Sequence, residues 1–197
     1  SAVGGTKFYA LLSDQQEGMS EQGEVVRHIS DHQDAYVLTG AMRNGLESAV
    51  VDVHEVPDRR EREERILGIL REKEIGFVVF AGFMSILSER FTRAYEGRII
   101  NVHPSLIPSF CGKGYYGLHV HEAVLARGVK VTGATVHFVT EECDGGPIIL
   151  QRAVVVKAGD TRASLQKRVM LEAEWVSLTE AVELVCKQFY RASKTSA

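Results

Sequence analysis

The sequence has little cysteine, little proline, no surplus of charge and no long hydrophobic run. Its three cysteines, Cys111, Cys143 and Cys186, are an odd set without C-x-x-C spacing. That argues against a disulfide framework and a structural zinc. A reducing compartment suits such thiols, so the expected location is cytoplasmic. The longest apolar runs, such as Gly76–Met84, fall far short of the roughly 20 residues that cross a bilayer. No charged stretch followed by an apolar one opens the chain as a signal peptide does. Twenty-three Lys and Arg against 26 Asp and Glu leave a formal charge of -3. No general field therefore draws a polyanion, which weighs against nucleic acid as a partner. What is present, 45% hydrophobic residues and 18 glycines in 197 residues, is ordinary for a packed core.

Periodicity divides the chain. Phe8, Leu11 and Leu12 stand at helical spacing, with Thr6 as N-cap and Gly18 as terminator, predicting a helix over Thr6–Gln16. Val25, Val26 and Ile29 suit a strand, Ala35–Asn44 a helix before Gly45, and Ala49–Val53 another strand. Asp58 and Glu61 form a capping-box pattern that opens Arg59–Lys73, with Ile66, Leu67, Ile69 and Leu70 as its apolar stripe. The runs Gly76–Ala81 (GFVVFA) and Arg98–Val102 (RIINV) read as strands covered on both faces. Strand and helix therefore alternate through the first hundred residues, as in a parallel α/β sheet with right-handed crossovers. Val131–Val139 and Ile148–Val156 follow as strands, and Thr161–Phe189 as one or two closing helices. No repeat, linker or composition break appears, so residues 1–197 are expected to form one domain. The opening Val3-Gly4-Gly5-Thr6 reads either as the phosphate-attracting turn after a first strand or as a flexible terminus. On the first reading the feeding strand is missing from the chain.

The richest segment is Asn101–Phe110, NVHPSLIPSF, directly after RIINV. Carboxyl ends of strands form the ligand crevice of an open α/β sheet. Asn101 and His103 alternate with Val102, so both can share one face, and Pro104 and Pro108 stiffen the loop beyond. Histidine, with a reference pKa of about 6.5, exchanges a proton near neutrality, and asparagine both donates and accepts. Taken alone, such a histidine also reads as a satisfied structural group. Later, in GATVHFVTEECDGGPIIL (Gly133–Leu150), His137 lies in a strand and Asp144 precedes Gly145-Gly146-Pro147. A carboxylate in so tight a loop can approach an imidazole and favour its charged form. By itself DGGP is a turn signature.

AGFMSILS (Ala81–Ser88), NVHPSLIPSF and GATVHFVTEECDGGPIILQ, with a weaker match at SDHQDAYVL (Ser30–Leu38) and the opening Gly-Gly-Thr, resemble the phosphoribosylglycinamide formyltransferases. The resemblance implies a Rossmann-like single domain, a mostly parallel twisted sheet flanked by helices. It also implies formyl transfer from 10-formyltetrahydrofolate to the amine of glycinamide ribonucleotide in purine biosynthesis. Asn101, His103 and Asp144 then match the catalytic trio: the first two steady the oxyanion of a tetrahedral intermediate and the third supports the charged imidazole. Met84, Ser85, Ile86 and Leu87, with Val139, Thr140, Glu141, Glu142, Cys143 and Asp144, match the folate pocket. Ser85 stands where relatives commonly carry Arg. Without the resemblance, Met84–Leu87 reads as a strand end and helix start.

For the ribonucleotide, the resemblance points to Gly5, Thr6 and Lys7 at the phosphate and to Arg60, Pro104 and Glu174 beyond it. Val3 and Lys7 depart from the usual Gly and Asn. Arg60 reads equally as part of a solvated helix face. The stretch PSFCGKGYYGLHVH (Pro108–His121) is either a loop that moves over substrate or a surface excursion. Cys111 and Cys143 flank the expected site and are expected to pack rather than to act as nucleophiles, and His119 and His121 lack companions for a metal. No metal is expected. The partners are small molecules, without nucleic acid or membrane, and the chain is expected as monomer or homodimer. The alternatives are a formyltetrahydrofolate hydrolase and a catalytically silent folate- or nucleotide-binding protein. A methionyl-tRNA formyltransferase carries a further domain that this length does not hold.

Overall fold

Side-chain caps set several helix starts in the computed structural model, which describes residue 25 and residues 27–30, 46–80 and 87–195. Asp58 accepts the Glu61 N–H at 2.8 Å and caps α1 (Arg59–Glu72), as the pattern predicts. The reciprocal half of the box is replaced: the Glu61 carboxylate takes Arg65 at 2.7 Å instead. Glu63, Leu67 and Leu70 turn inward at helical spacing. The buried Glu63 accepts the Ser88 N–H at 2.8 Å and the Ser88 hydroxyl. It thereby ties α1 to the N-cap of α2 (Glu89–Ala94).

The strands are β1 (Arg27–Ser30), β2 (Glu47–Val50), β3 (Val78–Phe80), β4 (Ile99–His103), β5 (Val131–Phe138) and β6 (Ile148–Val155). β1 pairs with β2 in parallel, and β3 with β4 in parallel, as the alternation predicts. β5 and β6 then join antiparallel, in the order β3-β4-β5-β6, so the sheet is mixed. β2 ends earlier than expected because Asp52 accepts the His54 N–H at 2.7 Å, a local turn that competes with the ladder.

The stretch after Pro108 holds an element that its glycines hide: α3 (Leu118–Arg127). It starts at Gly117 without a side-chain cap and ends at Gly128, whose φ of 73° makes the left-handed C-terminal turn. The closing helices are α4 (Arg162–Val169), capped by a Thr161–Ser164 box, and α5 (Trp175–Thr195). A π-helical turn, Met170–Glu174, sits between them.

Adjacent strand residues face opposite sides, and β4 shows the result. Ile100 and Val102 enter a cluster with Val124, Val136 and Leu165, whereas Ile99 enters a second with Leu67, Leu70 and Phe91. Burying each isoleucine contributes about 1.5–3 kcal/mol. β4 is thus fixed from both faces, and its final residue is His103. Among the described residues no helix is long and apolar enough to cross a membrane. The expected helices over Thr6–Gln16 and Ala35–Asn44 and the glycine turn lie outside the described residues.

Candidate active site

β4 carries Asn101 and His103 to the edge of the core, and β5 brings His137 opposite Asn101 and Thr135 opposite His103. A register irregularity between Val136 and His137, where Leu150 and Ile148 are the successive partners, turns the strand locally. Beyond β5 the chain doubles back through Asp144-Gly145-Gly146-Pro147. A Cβ on Gly146 would stand 1.8 Å from the Phe138 carbonyl oxygen, so only glycine fits. Asp144 itself adopts φ 56°, a left-handed conformation that aspartate tolerates better than most residues.

The two ends of the site meet at this carboxylate. Asp144 Oδ2 lies 3.4 Å from His103 Nδ1 and accepts the Gly112 N–H at 2.9 Å. Its Oδ1 lies 3.6 Å from His137 Nε2. His103 is 4% exposed, and its Nε2–H donates to the Phe110 carbonyl at 2.9 Å. Both ring nitrogens therefore face oxygen acceptors, an arrangement satisfied by the doubly protonated ring. His137 donates from Nδ1 to the Phe138 carbonyl at 2.9 Å, and its Nε2 stands 3.4 Å from the Asn101 amide nitrogen. Burial pushes the Asp144 carboxyl up. The His137 hydrogen bond, the His103 charge and the Gly112 N–H outweigh that, and the net direction is below the ordinary carboxylate value.

The loop after His103 is braced from β5 and β6. Thr135 Oγ1 donates to the Ser105 carbonyl at 2.7 Å and accepts the Ile107 N–H at 3.0 Å. Gln151 Nε2 donates to the Ile107 carbonyl at 2.9 Å and to Thr135 Oγ1 at 3.0 Å. Ser105 Oγ donates to the Ser109 carbonyl at 2.6 Å, and the Ile107–Pro108 peptide bond is cis. These bonds aim the Phe110 carbonyl at His103.

Asn101 and His103, neighbours on β4, thus share one cluster with the distant Asp144, and Pro104 follows His103 directly. Of the expected folate residues, Val139 donates its N–H to the Ile99 carbonyl at 2.9 Å, and Thr140–Cys143 form an exposed turn. Glu141 reaches Arg93 at 3.5 Å, and Thr140 Oγ1 reaches the Glu142 carbonyl at 3.3 Å. Leu87 packs on the cluster around Phe91. Met84, Ser85, Ile86, Gly5, Thr6 and Lys7 lie outside the described residues. Arg60 is exposed on α1, where it lines a recess with Arg59, Glu63, Ser88 and Arg90. Glu174 is buried in the π-helical turn at 1% exposure. Cys143, expected to pack, is instead exposed, because the tight turn before Asp144 directs it outward. His119 pairs with Glu122 at 3.5 Å, while His121 is fully buried in α3. Among the described residues no three His, Cys, Asp or Glu side chains are grouped to hold a metal.

Sequence reasoning missed His137, Thr135, Gln151 and the Phe110 carbonyl as parts of this cluster. One signal was available: Thr135 and His137 are two residues apart in an otherwise apolar strand, so they share a face. Residues 2–182 match the formyl transferase family. The chain belongs to the phosphoribosylglycinamide formyltransferase family. It is 41% identical over 181 residues to the chicken (Gallus gallus) trifunctional purine biosynthetic protein adenosine-3, covering 92% of this chain and 17% of that protein. To the chloroplastic phosphoribosylglycinamide formyltransferase of Vigna unguiculata it is 35% identical, covering 94% of this chain and 59% of that one. The chain therefore spans less than two thirds of these curated relatives. The crystal structure of glycinamide ribonucleotide transformylase 1 from Symbiobacterium toebii superposes with a TM-score of 0.86 at 38% identity. It covers 93% of this chain and 84% of that one. In this formyltransferase family member, the mixed sheet positions the polar cluster at the ends of β4 and β5.

Proposed function

We propose that this formyltransferase moves the formyl group of 10-formyltetrahydrofolate onto the primary amine of glycinamide ribonucleotide, in the cytoplasm, as a step of purine biosynthesis. The contact between His103 Nδ1 and Asp144 Oδ2, at 3.4 Å, carries the reading, because it holds a charged imidazole where an acyl oxygen can be met. The amine lone pair attacks the formyl carbon and the carbonyl electron pair moves onto oxygen. His103 turns its Nε2–H from the Phe110 carbonyl to that oxygen, and the Asn101 amide adds a second donor. Asp144 keeps the imidazole charged throughout and routes the amine proton, through water, to the departing folate nitrogen. The bond from carbon to that nitrogen breaks as the carbonyl reforms, leaving tetrahydrofolate and the formylated amide.

Met84, Ser85, Ile86 and Leu87, with residues Val139–Asp144, are the proposed folate pocket. Gly5, Thr6, Lys7, Arg60, Pro104 and Glu174 are the proposed ribonucleotide contacts. The exposed Thr140–Cys143 turn leaves backbone groups open to a pteridine, which supports the first assignment. The test is to follow deformylation of 10-formyltetrahydrofolate by the purified chain with and without glycinamide ribonucleotide. Turnover that requires the amine is expected. Turnover without the amine would make the protein a hydrolase, and binding without turnover would make it a silent binding module.

A further inference from the structure

Two thiols form no bond in that transfer, though Cys143 belongs to the proposed folate pocket, and they flank the hydrogen bond between Gly112 and Asp144. Cys111 precedes Gly112 in the chain, and Cys143 precedes Asp144. Asp144 Oδ2 takes the Gly112 N–H at 2.9 Å and lies 3.9 Å from Cys143 Sγ. The Cys143 sulfur and the backbone next to Cys111 therefore converge on one oxygen atom. Both thiols are free, Cys143 exposed and Cys111 half-buried, so a small oxidant reaches them without unfolding. The neighbouring residues Phe110 and Asp144 adopt φ 51° and 56°, strain of the kind that gathers at functional sites. These same two residues hold the His103 ring, at Nε2 and Nδ1 respectively.

We infer that Cys111 and Cys143 are a thiol pair that a peroxide closes to a disulfide, and that closure arrests the enzyme by pinning His103 between Phe110 and Asp144. The pairing rests on the convergence of both turns at the Asp144 carboxylate; the arrest rests on the formyl-transfer reading. The Cys143 thiolate attacks one peroxide oxygen and the O–O bond breaks, leaving a sulfenic acid and water after protonation. The Cys111 thiolate then attacks that sulfur, the S–S bond forms, and a second water departs. Two electrons pass from the sulfurs to the peroxide, and an external dithiol reverses the change. Burial raises both thiols above their ordinary value, and the Asp144 charge pushes each further in the same direction. Closure is therefore slow at neutral pH and quickens in alkali, where thiolate accumulates. Once closed, the bond holds the Phe110–Gly112 backbone against the Asp144 turn. Nε2 then stays on the Phe110 carbonyl and does not reach a substrate oxygen.

The experiment exposes the full chain to hydrogen peroxide at mildly alkaline pH. It reads intact mass, non-reducing peptide maps and formyl transfer before and after dithiothreitol. A mass loss of about 2 Da, a Cys111–Cys143 peptide from monomeric protein, and a roughly tenfold or greater fall in transfer that dithiothreitol reverses are expected. Cys111→Ser is expected to keep the starting transfer rate and to lose the reversible inhibition. A link to Cys186, sulfinic acid at Cys143 without a link, or reversible inhibition that persists in Cys111→Ser overturns the pairing. A mapped link that leaves transfer unchanged overturns the arrest. If the untreated protein never transfers formyl, the proposed function fails, while the peptide map still decides the pairing.

Discussion

The ends of β4 and β5 and the outer face of α1 are both dense in polar groups, but water treats them differently. His103, Ser105, Thr135 and His137 are each 4% exposed or less, and their bonds replaced water that does not return when a partner is lost. On α1 the Arg65–Glu61 pair leaves its side chains 56% and 55% exposed, and water takes the place of either partner. Removing one member of a buried bond costs about 1–3 kcal/mol, against about 0.2–1 kcal/mol for an exposed ion pair. The most charged segment of the chain is therefore energetically quiet, and a handful of uncharged or singly charged groups at the ends of β4 and β5 are the ones proposed to carry the chemistry. Glu63 is the exception on α1, because its carboxylate is buried and holds Ser88.

The sharpest way to break this contrast is His103→Ala. Transfer is expected to fall on the order of a hundredfold to a thousandfold with the circular dichroism spectrum unchanged, because His103 lies at the strand terminus. A near-parent rate would remove the mechanism. Thr135→Val comes next: it leaves the Ser105 carbonyl and Ile107 N–H without their partner, and urea denaturation should show a loss of about 1–3 kcal/mol. A loss no larger than that of a surface variant would show that the brace is dispensable.

Asp144 sharpens the comparison through pH. Its carboxyl titrates below its ordinary value in the folded chain, so the unfolded chain binds the proton first. Its contribution to stability is present above the ordinary carboxylate range, near pH 4, and is lost as pH falls through the lower folded value. Melting temperature measured from pH 6 to pH 3 should drop less steeply in Asp144→Asn than in the parent. Equal slopes would show that Asp144 gains nothing from the two histidines. The smallest effect is expected from Arg65→Ala on α1, about 0.5 kcal/mol or less by the same denaturation measurement. A loss above about 1 kcal/mol would erase the difference between the two regions.

Much of the fold was legible because its signals are local. The Asp58 cap, the Leu67 and Leu70 stripe and the apolar β4 run each depend on residues a turn or less apart, and their elements appear close to the expected positions. α3 was not legible, since Gly112, Gly114 and Gly117 before it look like loop and no side chain caps its start. In the site, Asn101, His103 and Asp144 stood out because proline and glycine mark the turns that present them. His137 did not, because its role comes from pairing with Asn101 across 36 residues of chain. A histidine in a strand has no local mark of what lies opposite.

By itself the sequence determined which side chains are available, where the chain must turn and which strands are wholly apolar, since backbone preference and hydrophobic period act over a few residues. Only the tertiary structure decided that β5 lies antiparallel to β4 in a register that sets His137 on Asn101. It also decided that a left-handed Phe110 lays its carbonyl on His103, and that the turns carrying Cys111 and Cys143 meet at one carboxylate. These contacts join segments distant in the chain, and their energies depend on exclusion of water, which exists only after the sheet and its helices have packed.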